Sequence, residues 1–212
     1  MVVAGSGMQV GRFVDFCIHK DLQGVEMLAG IPGTVGGAVI MNAGAYDGEI
    51  SDHLVDVEVV NNAKTVFISK AQAGFGYRCS GFQGMVVLGA RFGLPAGDKE
   101  DLMRIRRDLL IRRNRSQPVN LPNSGSMFKN PEGNHAAKLI EEAGLKGTRR
   151  GGARISERHA NFIVNEGHAT ARDVIRLLEA AHVEVMKKRG INMELEIKLL
   201  GFGENIYEEI YA

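Results

Sequence analysis

Hydrophobic positions recur with two different periods along the chain, and the changes of period divide it into elements. The opening "VVAGSG" reads as a short buried strand entering a glycine turn, and such strands usually have neighbours on both sides. Val10, Phe13, Val14 and Cys17 follow at helical spacing and predict a helix over 9–22. The stretch "LVDVEVVNNAKTVFIS" then alternates, with Val55, Val57 and Val59 on one face and Asp56 and Glu58 on the other. With "NNAK" as its turn, this predicts a β-hairpin half-exposed to water. Another strand is expected over 85–94.

From Asp98 the period becomes helical again. Asp98, Glu100 and Asp101 fill the first turn, where a helix dipole favours anions, and Leu102, Ile105 and Leu109 form the expected apolar stripe. "QPVNLPNSGS" (117–126), with two prolines and several turn formers, is the expected domain boundary. Beyond it the pattern predicts a short helix over 134–143, with Leu139, Ile140 and Ala143 inward, and a strand over 160–165. A longer helix follows over 170–189, capped by Thr170 with Asp173 and striped by Val174, Leu177, Leu178, Ala181 and Val185. A final strand is expected over 193–202. Strand, helix, strand implies an α+β arrangement with the helix packed on a small sheet, and the chain divides into segments 1–116 and 117–212.

Composition narrows the function classes. The chain has 212 residues and a formal net charge of +1, so no bulk electrostatic attraction to nucleic acid or an anionic membrane is expected. Its two cysteines, Cys17 and Cys79, make no C-x-x-C pair, which argues against a disulfide framework and fits a reducing cytoplasm. No apolar run approaches the roughly 18–20 residues of a membrane helix, and the amino terminus lacks the pattern of a secretion signal. The six histidines show no H-x-x-x-H spacing, so no metal site is expected.

Four segments have the residues to carry chemistry. "GIPGTVGGAVIMNAGAY" (30–46) is glycine-rich without a Lys-Ser/Thr pair after it, so it is not a Walker loop. It reads either as a ligand cradle, with backbone N–H groups exposed toward an anion, or as a tightly packed structural loop. Asn42 and Tyr46 add an amide and a ring. In "GYRCS", Arg78 stands between Tyr77 and a hydroxyl, which suits a carboxylate or a flat ring, or else an ordinary arginine at a sheet edge. Ser126 follows a glycine in "PNSGSMFKNP" with no G-x-S-x-G elbow, so it reads as a proton-donating serine or as a turn cap, not as an acyl-transfer nucleophile. Glu194, Glu196 and Lys198 alternate with Leu195, Ile197 and Leu199, and that polar face is otherwise simply a wet one. The arginines at 104–115 make either a solvated helix face or an approach to an anionic ligand.

Taken in order, these segments resemble the UDP-N-acetylenolpyruvoylglucosamine reductase family. The resemblance rests on "GVEMLAGIPGTVGGAVIMNAGAYDGEI", "FGYRCSGF", "RRNRSQPVNLPNSGSMFKNP", "LIEEAGLKG", "GGARISERHANFIVN" and "MELEIKLLGFG". It implies an α+β flavoenzyme of peptidoglycan precursor synthesis, cytoplasmic and monomeric. NADPH would reduce bound FAD and give way to UDP-N-acetylglucosamine enolpyruvate, which would take hydride and a proton to become UDP-N-acetylmuramate. By motif position Ser126 is implied as the proton donor. Arg78 and Glu196 are implied to polarise the substrate carboxylate and stabilise the enolate-like intermediate. Gly30, Ile31, Pro32, Gly33, Gly36, Gly37, Asn42, Tyr77 and Lys198 are implied to bind the cofactor. Asn130, Tyr46 and Arg115 are implied to bind substrate, with Tyr46 also beside the flavin.

The same resemblance implies departures. The chain is similar to the C-terminal two-thirds of the family, so 1–116 would be the remainder of an FAD-binding domain and 117–212 a substrate-binding domain. The glycine-serine loop that cradles the FAD pyrophosphate has no equivalent here, so weakened FAD binding is expected. Lys198 stands where many members have arginine, which weakens any stacked or bidentate role there. Tyr77-Arg78-Ser80 fits the branch without an extra substrate-covering loop. The alternatives are a non-catalytic UDP-sugar-binding fragment and another flavin oxidoreductase of the same FAD fold.

Overall fold

In the computed structural model, which describes residues 1–203 and 205–211, the alternating segments of the first half build one antiparallel sheet. Its strands are β1 (Val2–Gly5), β4 (Leu54–Asn61), β5 (Lys64–Ser69) and β6 (Val86–Phe92), in the order β1-β6-β4-β5. Helices α1 (Val10–His19) and α2 (Val35–Ile40) supply the apolar cover, with the Phe13 and Phe92 rings 4.8 Å apart in the core. Between α2 and β4, the two-residue strands β2 (Gly44–Ala45) and β3 (Gly48–Glu49) form a separate hairpin. These elements make one compact unit, Met1–Arg113, and Asn114–Ala212 make the other. The division falls inside the long helix α3 (Lys99–Ser116).

The second unit has its own four-stranded antiparallel sheet, ordered β7-β10-β9-β8: β7 (Asn123–Ser126), β8 (Arg149–Arg150), β9 (Ala153–Ile155) and β10 (Phe162–Asn165). Helices α4 (Ala136–Glu142), α5 (Ala171–Arg189) and α6 (Ile206–Tyr211) complete it. The α5 stripe is buried as expected at Leu177, Leu178, Ala181 and Val185, joined by Ile175. Thr170 and Asp173 form a reciprocal capping box at its start, and Gly190 closes it in the left-handed region.

Five expectations need correction. "VVAGSG" yields an edge strand of the described sheet, paired on one side with β6 and alternately exposed. A register shift between Leu54 and Asp56 inverts the start of β4, so Val55 is exposed and Asp56 buried; an extra residue in a ladder moves the next side chain to the other face. Asp56 then takes both a 2.6 Å bond from Arg91 Nε and a 2.5 Å bond from Arg91 Nη2. In α3 only Leu102 of the expected stripe is fully buried, Ile105 faces water, and Leu110 packs on the core instead. Part of the turn-rich boundary, Asn123–Ser126, is strand β7.

The last correction concerns 193–202, which makes a single bridge, Leu195 to Phe128, and no strand. The Leu195 N–H goes to the Tyr211 hydroxyl at 3.0 Å and the Leu199 N–H to the Tyr207 hydroxyl at 3.5 Å. Donors taken by side chains of α6 cannot build a ladder.

Candidate functional site

In the first unit the glycine-rich run folds as a turn, α2 and strand β2, which leads into the β2–β3 hairpin. At Gly30, with φ of +79°, a Cβ would lie 2.9 Å from both Arg113 Cδ and Leu110 Cδ2, so a side chain there would collide with α3. Burial lowers the pKa of the Arg113 guanidinium, partly offset by nearby Tyr46. Ile31 is half-buried against the core and Pro32, Gly33 and Gly37 are exposed. Gly36 is buried and donates its N–H to the Ser6 carbonyl at 2.9 Å, while the Gly37 N–H meets the capping Thr34 hydroxyl at 3.4 Å. The run is therefore packed on one side and open on the other.

Backbone strain gathers at the end of this run. Asn42 (φ +43°), Tyr46 (+54°), Asp47 (+64°) and Arg78 (+55°) all lie in the left-handed region, each at a cost of about 1–3 kcal/mol that the surroundings must offset. The offsets are visible. Asn42, fully buried, donates from Nδ2 to Glu49 Oε2 at 2.5 Å and to the Gly76 carbonyl at 3.0 Å. Tyr77 and Arg78 occupy the tip of a tight turn whose ends, Gly76 and Cys79, exchange two 3.1 Å backbone bonds. Arg78 Nη2 donates to the Gly44 carbonyl at 2.8 Å, its guanidinium lying 4.8 Å from the Tyr77 ring centroid. Ser80 donates to the Ile40 carbonyl at 2.8 Å. Three side chains thus knit the Tyr77-Arg78 turn to residues 40–44. Arg78 is a tethered turn arginine, not a sheet-edge one.

Tyr46 donates its hydroxyl to the Leu109 carbonyl at 3.3 Å, and the Arg112 guanidinium lies 5.1 Å from its ring centroid. Asn42 Oδ1 is buried without a hydrogen-bond partner among the described residues. A buried acceptor left in that state costs about 1–3 kcal/mol, and a ligand N–H would satisfy it. That orphaned oxygen and the exposed backbone at Pro32, Gly33 and Gly37 fit a planar, hydrogen-bonding cofactor.

In the second unit Ser126 ends β7, the edge strand, opposite Phe162. The pairing shifts between Phe162 and Val164, and the extra β7 residue is accommodated at Gly125, with φ of +83°. This bulge re-aims the strand at Ser126. Immediately afterwards, the Glu196 N–H donates to the Met127 carbonyl at 2.8 Å and the Lys129 N–H to the Glu194 carbonyl at 2.8 Å. Ser126 and Glu196, 70 positions apart in sequence, are thereby held on neighbouring backbone segments. Asn130 is exposed and accepts the Ala136 N–H at Oδ1, 3.1 Å, at the start of α4. Lys198 and Arg115 are both exposed.

Two residues outside the sequence motifs also matter: Glu49, which anchors Asn42, and Asn161, which bonds the residues that follow Ser126. Glu49 sits beyond a strained turn that no periodicity marks. Asn161 sits within an apolar strand run, where a buried amide between Ala160 and Phe162 is the one available signal. Among the described residues no group of three His, Cys, Asp or Glu side chains is placed to hold a metal, and no helix is long and apolar enough to cross a membrane.

Comparisons with known proteins point one way. Residues 117–200 match the model for "UDP-N-acetylenolpyruvoylglucosamine reductase, C-terminal domain", and residues 1–68 match the model for "FAD binding domain". The chain is 41% identical over 207 residues to the UDP-N-acetylenolpyruvoylglucosamine reductase of Syntrophobacter fumaroxidans, covering 97% of this chain and 60% of that protein. It is 44% identical over 203 residues to the reductase of Alkalilimnicola ehrlichii, covering 94% and 68%. The crystal structure of UDP-N-acetylenolpyruvylglucosamine reductase from Thermus caldophilus is similar with a TM-score of 0.84 at 39% identity, over 93% of this chain and 71% of that one. The chain therefore spans 60% of the length of the first of these relatives.

Proposed function

The chain belongs to the UDP-N-acetylenolpyruvoylglucosamine reductase family, and on that premise we propose that it reduces UDP-N-acetylglucosamine enolpyruvate to UDP-N-acetylmuramate, with FAD as cofactor and NADPH as hydride donor. The observation that carries the reading is the backbone bond from Glu196 to Met127, which joins the chain next to Ser126 to that of Glu196 across 70 positions of sequence. FAD, when bound, would supply the two-electron hydride chemistry that links NADPH to the enolpyruvyl methylene carbon.

The remaining work falls to the protein. In the first unit Gly30, Ile31, Pro32, Gly33, Gly36, Gly37, Asn42 and Tyr77 would hold the cofactor, and Lys198 keeps the cofactor-binding role the family resemblance gives it. Arg78 would bind the substrate carboxylate, and its tether to Gly44 fixes the cation before charge develops. An enol ether accepts hydride poorly unless the negative charge building on its carboxylate is stabilised, and a preorganised cation supplies that. Glu196 would stabilise the enolate-like intermediate. Ser126 would deliver the proton to the carbon beside the carboxylate. A serine hydroxyl is a weak acid, but a carbanion is basic enough to take its proton when the two are well placed. Asn130, Tyr46 and Arg115 would contribute to substrate binding.

The test is direct. The purified chain is mixed with FAD and filtered, and the retained flavin absorbance is followed anaerobically through addition of NADPH and then of enolpyruvyl substrate. Bleaching by NADPH followed by substrate-dependent recovery is expected. Retained flavin that never recovers with substrate would indicate another flavin oxidoreductase, and UDP-sugar binding without flavin would indicate a binding fragment.

A further inference from the structure

The buried amide of Asn161 has no part in the roles above, yet residue 161 makes three hydrogen bonds to the segment that follows Ser126. Asn161 is 3% exposed. Its Oδ1 accepts the Phe128 N–H at 3.0 Å and its Nδ2 donates to the Phe128 carbonyl at 2.8 Å. Its own backbone carbonyl accepts the Met127 N–H at 2.9 Å. All the polar capacity of this amide that points at the segment is spent on one peptide unit and its neighbour.

The ladder explains why an amide is needed there. Phe162 pairs with Ser126, and continuing that register would place the next peptide of the β10 chain against Phe128. The chain instead turns away, with the Phe162 N–H bonded to the His159 carbonyl at 3.1 Å. The Asn161 side chain, chemically a copy of a peptide group, stands in for the missing one. On the other edge of the same segment, Leu195 bridges Phe128, and Glu196 and Lys129 donate across. Residues 127–129 are therefore bonded on both sides, by Asn161 on one and by 194–196 on the other. Ser126 lies at one end of this stretch, Asn130 at the other, and Glu196 across it.

We infer that Asn161 is a positioning residue for proton delivery: it sets the backbone frame that fixes Ser126 relative to Glu196. The inference rests on the reductase reading given above. Alanine would leave a buried N–H and a buried carbonyl at Phe128 without their partner, and the segment would relax toward water or toward β10. Aspartate keeps the shape and the acceptor for the Phe128 N–H.

The two half-reactions and the solvent isotope effect on the second provide the test. With Asn161→Ala, bleaching of the flavin by NADPH should stay within about twofold of wild type. Substrate-driven recovery should slow by about tenfold to a hundredfold, the scale of a small misplacement of a reacting group. The solvent deuterium isotope effect on recovery should rise, because proton transfer becomes limiting, and Asn161→Asp should fall between the two. If Asn161→Ala does not fold, as judged by circular dichroism, Asn161→Asp carries the test alone. Equal slowing of both halves, or recovery at the wild-type rate with an unchanged isotope effect, overturns the inference while leaving the reductase reading intact. A wild-type chain that shows no substrate-driven recovery overturns the reductase reading, and this inference with it.

Discussion

The Glu196 N–H donates to the Met127 carbonyl at 2.8 Å, so one backbone bond joins the residue after Ser126 to the carboxylate-bearing residue of a segment that makes no strand of its own. The bond itself runs between main chains, which are stiffer than side chains. Side chains at 126 and 196 can then be exchanged without dismantling the frame that holds them.

Gly125 tests how the bulge contributes to that frame. Its φ is +83° and an added Cβ would meet no heavy atom within 4 Å, so any penalty in Gly125→Ala comes from backbone conformation alone. A loss of about 1–2 kcal/mol is expected, read as a lower urea midpoint with unchanged slope.

Gly30 is the contrasting case, because a Cβ there collides with Arg113 and Leu110 as well as straining the backbone. Gly30→Ala should lower the midpoint more than Gly125→Ala does. Adding Arg113→Ala should recover part of the excess in a double-mutant cycle, since the two positions share one contact.

The two thiols should differ sharply. Cys17 is buried, and burial, with a smaller push from Glu26, raises its pKa to about 12. The thiolate is the reactive form, so in native protein a thiol reagent should modify exposed Cys79 and leave Cys17 untouched until urea unfolds the first unit. Two equally fast thiols in native protein would contradict the described packing.

His182 gives the second unit a pH dependence. It is buried edge-on against Tyr211, with ring centroids 4.8 Å apart, and burial lowers its pKa below the ordinary value of 6.5 despite a bond at Met193. The unfolded chain then binds a proton more readily than the folded one. Stability from this residue is complete above about pH 6.5 and is lost as pH falls below it. His159, also lowered chiefly by burial and next by Lys146, acts in the same direction. The urea midpoint should fall between pH 7.5 and 5.5, and His182→Leu should flatten that fall.

Much of this fold is legible in the sequence because burial follows period. The α5 stripe, its Thr170–Asp173 cap and the β4–β5 hairpin with its Asn62-Ala63 corner are local decisions, made by residues within a few positions of one another. What could not be read depends on distant partners. Nothing near Asp56 announces the bulge that buries it beside Arg91, and nothing in "MELEIKLL" shows that Tyr207 and Tyr211 take its backbone donors. The same holds for the candidate residues. Tyr77, Arg78 and Ser126 stand out by chemistry and motif, whereas Glu49 and Asn161 matter only through bonds to positions 7 and 33 residues away.

Proton delivery by Ser126 is decided by Ser126→Ala in the two separated half-reactions under anaerobic conditions. The flavin should bleach with NADPH at close to the wild-type rate, and recovery on adding UDP-N-acetylglucosamine enolpyruvate should slow by about a hundredfold or more, as for loss of a positioned proton donor. Equal slowing of both half-reactions, or recovery at the wild-type rate, would contradict it.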